Sequence, residues 1–525
     1  MKQEEKIYDY LIIGSGFGGS VAALRLAEKG YSVLVAEKGK RWETKDFPRS
    51  NWIIWKYLWI PFLRCFGFQR LTFTRHANIL SGTGVGGGSL VYANTLRIPP
   101  AQFFTNEQWG RFNNWEDKLK PFYEKASLML GRTVNRSLNE EDHLLRGIAE
   151  EMGRGETFGP VHVGVFFGDT KQETDPYFGG EGPVRKGCIE CGGCMVGCRE
   201  NAKNTLDKNY LWFAEKKGAK ILPGTKALKT NFSGGVYSTV LITFTSLIKR
   251  KYLIKSKGII IAGGALGSMD FLLKQKYKYH SLPNLSDQLG EGIRTNSETL
   301  NAISLTGRKI NNGVAISSSF APDNDTSIEV VKYPDGSGAM KLFFGLATGP
   351  GSGLRRTLGM LGNMLLHPLN TLRLLFNFKW ARNTVILLVM QSRDNAMKMI
   401  WKKNLFGGRM KLENQGAKKV PAYIEVGQEV MHRYAKKVNG VALNIIPEIL
   451  YNGSTTAHIL GGCTMGENAS LGVIGSNYEV HGYPGMYVVD GSAIQGNLGV
   501  NPSLTITACA EYAMSLVNEK NKYML

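Results

Sequence analysis

No uninterrupted apolar run in the 525 residues approaches the ~20 needed to span a bilayer. The two best stretches are broken by Lys56, Pro61 and Arg64, and by His367 and Arg373, so any membrane contact is expected to be peripheral. The first ten residues carry Glu4, Glu5 and Asp9 and lead into a strand-like segment, without the basic start and apolar stretch of a secretory signal. A cytoplasmic location, with peripheral contact at the inner membrane face, is the expectation. Acidic residues are in deficit. There are 43 Asp and Glu against 64 Lys and Arg, a net charge of +21, which favours phosphates, acidic proteins or lipid headgroups as partners. No zinc finger, basic zipper or RNA-binding signature accompanies that charge, so nucleic acid is not an expected partner. Internal repeats and low-complexity segments are missing too. Cysteine is sparse, seven in all, yet four fall between Cys188 and Cys198. In a reducing compartment such clustering points to metal or redox chemistry rather than a disulfide framework.

Length and a 43% hydrophobic content suffice for two substantial cores, and two domains are expected. Residues Ile7 to Ile13 read as a short strand, followed by Gly14-Ser-Gly16-Phe-Gly18-Gly19 and a helix-period stretch that stops at Gly30. A second strand ends at Glu37, near the ~20-residue offset at which a carboxylate meets the adenosine ribose. In such a dinucleotide turn, Gly14 permits the tight bend, Gly16 lets the backbone approach a pyrophosphate, and Gly19 allows close helix packing. The motif does not choose between FAD and NAD. A second small-residue run, Ser81-Gly-Thr-Gly84-Val-Gly86-Gly87-Gly88-Ser89, leads into Leu90-Val-Tyr92-Ala-Asn94 and reads as a packed cofactor contact rather than a linker. A third piece, Lys257 to Ser268, is another apolar strand ending in a glycine turn. The nucleotide-binding domain is therefore discontinuous in sequence.

The carboxyl-terminal part is the most specific. It reads Ala-His458-Ile-Leu-Gly461-Gly462, then Val488-Val-Asp490-Gly491-Ser492, then Gly499-Val-Asn501-Pro502-Ser503. With the amino-terminal glycines, and with Lys203-Asn-Thr-Leu-Asp-Lys-Asn-Tyr210-Leu, these segments resemble the glucose-methanol-choline (GMC) family of flavin oxidoreductases and, within it, the cholesterol oxidase branch. The resemblance implies an α/β chain: a Rossmann-type FAD-binding domain from 1–97, 188–299 and 452–525, plus an α+β substrate domain with an antiparallel sheet from 98–187 and 300–451. It implies oxidation of a sterol or other bulky lipid-like alcohol by hydride transfer to FAD, with oxygen or a redox acceptor as the electron sink. His458 is the implied base, since a neutral imidazole can take a hydroxyl proton near neutral pH. Asn501 is expected to orient the substrate oxygen. Gly14, Gly16, Gly19, Glu37, Gly84, Gly86, Gly87, Ser89, Asn94, Asp490, Gly491, Pro502 and Ser503 are the expected FAD contacts. Some relatives tether FAD through a His in the second glycine segment; Tyr92 and Asn94 occupy that neighbourhood here, so FAD is expected to be non-covalent. Sterol oxidases of this branch also use a Glu to shift a double bond, and Glu329 is the candidate; the alternative is a Glu on a solvated strand face.

Cys188-x2-Cys191-x2-Cys194-x3-Cys198 has the bacterial ferredoxin spacing. All four are candidate ligands of a 3Fe-4S or 4Fe-4S cluster, although Arg199 replaces the usual proline. A thiol or disulfide role and zinc are the alternatives. A cluster would give electrons a one-electron exit, making a dehydrogenase of a non-sterol alcohol or sugar, with a protein or quinone acceptor, the competing function. An NAD(P)-linked flavin reductase is disfavoured because no second complete dinucleotide fingerprint follows Gly263. A non-enzymatic electron-transfer flavoprotein is opposed by His458 and Asn501. Finally, Trp52 to Arg64 and Leu354 to Lys379 are apolar, aromatic and basic together. They fit either a membrane-interface surface or ordinary core helices or lids over the substrate pocket.

Overall fold

The computed structural model describes residues 2–246, 248–393, 395–405, 407–415 and 419–521. Its first sheet has seven strands, in the order Lys220–Leu222, Val33–Ala36, Lys2–Ile13, Lys251–Ile261, Val236–Thr243 and Thr225–Ser233, with Met486–Val488 also paired to Lys251–Ile261. The pairs formed by Lys2–Ile13 with its neighbours are parallel, and their register brings the strand ends level: Ile13 lies opposite both Ala36 and Ile261. Ile261 in turn lies opposite Val488. Four segments far apart in sequence therefore emit Gly14, Glu37, Gly263 and Asp490 from one carboxyl edge, the place where open parallel sheets bind ligands. Helix Phe17–Glu28 starts there, follows Gly16 and packs on helix Ser503–Ser515.

The second sheet is antiparallel throughout, in the order Phe344–Leu346, Val441–Ile445, Thr299–Ser304, Thr384–Gln391, Thr326–Val331, Ile316–Phe320 and Gly159–Pro160. Both faces are covered, and the two-residue strand period divides them. Val385, Leu387 and Val389 pack beneath helix Glu425–Val438, while Ile386, Leu388 and Met390 face the opposite core. Two pieces within the expected substrate intervals instead join the core of the nucleotide-binding sheet. Helix Trp115–Met129 packs on Ser503–Ser515, and the hairpin Ala396–Lys402 with Arg409–Gln415 packs on helix Gly264–Tyr277 through Met397, Met399 and Leu412.

Candidate active site

The glycine turn is built for close approach. A Cβ on Gly14, where φ is +102°, would lie 2.2 Å from the Ala262 carbonyl oxygen, and one on Gly19 would lie 2.2 Å from that of Gly14. These two glycines pack the turn against its neighbours. Gly16 differs: a Cβ there would meet nothing within 4 Å, and the residue lines a cavity of about 460 Å³. No side chain caps the helix that starts after Gly16, so its first amides remain available to an anion. Gly87, Asp490, Gly491, Pro502 and Ser503 line the same cavity, as does Glu37. The Glu37 carboxyl already accepts from the Ser15 amide and hydroxyl at Oε2 and from the Gly39 amide at Oε1; Oε1 keeps a lone pair for a ribose hydroxyl.

Gly84, Gly86, Ser89 and Asn94 are not at the wall, contrary to expectation. Ser89 Oγ donates to the Gly86 carbonyl and accepts from the Leu206 amide, so its hydroxyl shapes the loop. Asn94 is fully buried in the left-handed region at φ +61°, and neither amide atom has a hydrogen-bond partner. Its neighbour Thr95 does line the cavity, with Oγ1 also unpartnered. Open glycines, uncapped amides and unpartnered polar atoms are what a dinucleotide would satisfy, so the residues present fit FAD.

Farther along, the cavity becomes apolar, lined by Leu300, Ile316, Val331, Ile386 and Leu388 from the antiparallel sheet, with Tyr333 and Met340. Two polar groups meet at the junction. His458 follows the short strand Ser454–Thr456, and its Nδ1 contacts Glu298 Oε1. The other oxygen of Glu298 accepts from the Ala457 amide at 2.9 Å. Burial opposes a charged imidazole at His458, but the adjacent Glu298 carboxylate outweighs it and raises the pKa above the ordinary value, with Glu329 adding to the effect. With Nδ1–H donating to Glu298, Nε2 is left as the proton acceptor.

Asn501 lies at the same wall. Its Nδ2 donates to Glu329 Oε2 at 3.2 Å, while its Oδ1 is buried without a partner. Glu329 is 0% exposed, so it is no solvated strand residue, and Oε1 accepts from Arg97 Nη1 at 3.2 Å. Glu329 itself does not reach the cavity wall; at this junction the carboxyl beside His458 that does is that of Glu298.

Glu298 and Arg97 carry no sequence motif. What places Glu298 is the segment before it: Asn296 and Ser297 are both left-handed, at φ +60° and +47°, a conformation costly for a non-glycine residue unless its surroundings fix it. Asn296 Oδ1 accepts from the Gly499 amide and Nδ2 donates to the Val500 carbonyl. One turn thus aims Glu298 at His458 and anchors the turn carrying Asn501. The available signal was the unbroken polar run Arg294 to Thr299, every member of which is 0–1% exposed.

The four clustered cysteines line a second cavity, also about 460 Å³, with Lys203. Burial pushes the Cys188 and Cys191 thiols up, and that of Cys194 to about 12. Burial likewise lowers Lys203 to about 7. Lys203 Nζ donates to the Cys194 and Leu90 carbonyls and sits 4.8 Å from the centre of the Tyr92 ring. Since Tyr92 and Met195 line the first cavity, only this layer separates the two. Among the described residues, no group of three or more His, Cys, Asp or Glu is placed to hold a metal ion. The cysteines share a cavity without being gathered as ligands, an arrangement that lends no support to the expected iron–sulfur cluster or to zinc, whose sulfur bonds are ~2.3 Å.

Comparison with known proteins agrees with this geometry. GMC oxidoreductase profiles match residues 184–282 and 368–510, and an NAD(P)-binding Rossmann-like profile matches 12–42. The chain is 42% identical to a cholesterol oxidase of Acinetobacter baumannii, covering 98% of this chain and 95% of that one. It is 44% identical to a cholesterol oxidase of Mycobacterium tuberculosis, covering 98% and 92%. A long-chain-alcohol oxidase of Arabidopsis thaliana is 26% identical over 96% of this chain and 66% of its own. Among solved structures, pyridoxine 4-oxidase from Mesorbium loti superposes with a TM-score of 0.61 at 13% identity, covering 97% of this chain and 99% of that one, a likeness of fold. The chain belongs to the GMC oxidoreductase family and is an FAD-dependent alcohol oxidoreductase.

Proposed function

We propose that the protein oxidises the ring hydroxyl of a sterol, or the hydroxyl of a similarly bulky lipid-like alcohol. The observation that carries this reading is the His458–Glu298 pair at the point where the cofactor cavity opens into an apolar chamber walled by the antiparallel sheet. The resemblance to cholesterol oxidases over nearly the whole chain supports the same substrate class. Gly16 and Asp490, which line the cavity, would hold FAD, and FAD when bound would supply the hydride acceptor. His458 Nε2 takes the hydroxyl proton, and Glu298 stabilises the imidazolium that results. Asn501 Nδ2 gives one hydrogen to Glu329 and keeps a second to donate to the substrate oxygen, orienting the hydroxyl while its single proton points to His458 Nε2. The apolar wall excludes water around the polar pair and suits an otherwise greasy ligand. Oxygen or another redox acceptor takes up the electron pair, and a ketone is released.

A second reading for the acceptor, an iron–sulfur cluster with a protein or quinone partner, would need the four cysteines drawn together. All four border one space beside the cofactor cavity but are not gathered as metal ligands. Anaerobic titration of the purified flavoprotein decides the substrate. Bleaching by cholesterol, but not by short or sugar alcohols, is expected, and no bleaching by any sterol would overturn the proposal. Iron below one atom per flavin, with oxygen consumption intact, would remove the cluster reading.

A further inference from the structure

Helix Gly353–Leu366 is inside out. Leu354, Leu358, Leu361 and Leu365 recur at the spacing that normally turns one face of a helix to the core, yet here that face is in solvent, with Leu365 82% exposed. Its buried members are Arg356 and Met360. The Arg356 guanidinium donates to the carbonyls of Ala422 and Glu448 and to Asn452 Oδ1, so a buried cation pins the helix while its leucines face outward. The next helix, Pro368–Leu375, continues the surface with Leu369, Leu372 and Leu375, and Phe378 beyond it is 86% exposed.

A second apolar segment adjoins this one. Trp52, Trp55, Phe62 and Leu63 are all exposed, and the intervening short helix Gly338–Phe343 links the two surfaces. Asn51 Oδ1 accepts from the Ala339 amide, and Lys341 Nζ donates to the Leu375 carbonyl. From the same short helix, Leu342 projects into solvent and Met340 lines the substrate chamber. One turn of helix therefore separates the exposed apolar surface from the chamber.

The charge on this surface is of one sign. Between Asp335 and Asp394 there is no acidic residue but there are seven Lys and Arg; between Asp46 and Glu107 there is again none. Arg355, Arg373 and Lys379 are exposed among the leucines. Cations set beside leucine and tryptophan match an anionic lipid interface, where the apolar groups enter the acyl boundary and the cations meet phosphate. No helix among the described residues is long and apolar enough to cross a membrane, so these helices would lie on the bilayer.

We infer that the helices Gly353–Leu366 and Pro368–Leu375, with the Trp52–Leu63 segment, dock the enzyme on the surface of an anionic phospholipid bilayer. Met340 then stands between the bilayer and the chamber, and a membrane alcohol can enter without crossing water. This delivery role rests on the proposed lipid-alcohol substrate; the docking does not. The test is co-sedimentation of the holoenzyme with sterol-free vesicles of phosphatidylcholine, alone or with about 30% phosphatidylglycerol. Binding to the anionic vesicles at least ~10-fold tighter than to the neutral ones, weakened by salt, is expected. The triple variant Leu358→Asp, Leu365→Asp, Leu369→Asp should lose vesicle binding yet oxidise detergent-solubilised sterol at the parent rate. Equal binding to both vesicle types, or binding unaffected by the triple variant, would overturn the inference. So would loss of a dimer by the variant with no vesicle binding by the parent, since the face would then be a contact between copies. Loss of sterol oxidation by the parent would instead strike the proposed function and leave the docking result standing.

Discussion

Asn501 Nδ2 donates to Glu329 Oε2 at 3.2 Å, and Arg97 Nη1 holds the other oxygen of the same carboxyl. A buried carboxyl clamped at both ends fixes which way the Asn501 amide points, because Glu329 accepts and so selects the NH2 side. Arg97 is thus a positioning residue. Arg97→Ala should lower kcat by about 10-fold or more while KM changes less, with FAD content preserved. Arg97→Lys, which keeps the charge, should recover part of the loss. Equal kcat in both variants and the parent would show that the clamp does not orient Asn501.

Glu298 raises the pKa of His458 against the opposing effect of burial. Removing that carboxylate leaves burial dominant, so the imidazole becomes less basic and its neutral form persists to lower pH. Glu298→Gln should move the acidic limb of the pH profile for flavin reduction downward by about one unit. The maximal rate should also fall, because Nδ1 loses its charged partner. Stopped-flow reduction across pH checks both, and an upward shift would contradict the assignment.

The same pair links stability to pH. A histidine whose folded pKa is raised contributes stability fully present below its unfolded value of about 6.5, and that contribution is lost as pH rises through the folded value. His458→Phe should therefore flatten the decline in Tm on going from about pH 6 to about pH 9. Calorimetry of apoprotein and holoprotein at several pH values reads this out.

The two turn glycines should separate. Gly16→Ala places a methyl in open cavity space, so the protein should fold with near-parental Tm as apoprotein but bind FAD about 10-fold more weakly. Gly14→Ala drives a Cβ onto the Ala262 carbonyl at positive φ and should cost at least ~2 kcal/mol of stability. Flavin content measured beside apoprotein Tm distinguishes the two outcomes.

What could be read from sequence follows from how local each signal is. Gly14, Gly16 and Gly19 declare themselves because a tight turn, a close approach and a packed helix impose glycine at fixed spacing within six residues. His458 and Asn501 were legible only through the motifs around them. Glu298 was not, since its partner lies 160 residues away and its aim depends on two left-handed residues that no propensity favours. Ser89 and Asn94 stand behind the cavity wall for a related reason: a small-residue run shows that backbone passes close to something, but not which side chains face it. Helix Gly353–Leu366 displays the spacing of a core helix, and only the fold shows its leucines facing out.

Anaerobic flavin reduction by cholesterol in His458→Ala, compared with the parent, tests the central claim most directly. FAD content should be unchanged and reduction slower by at least ~100-fold, the loss expected when a positioned base is removed. Reduction at the parental rate, with FAD bound, would contradict His458 as the proton acceptor.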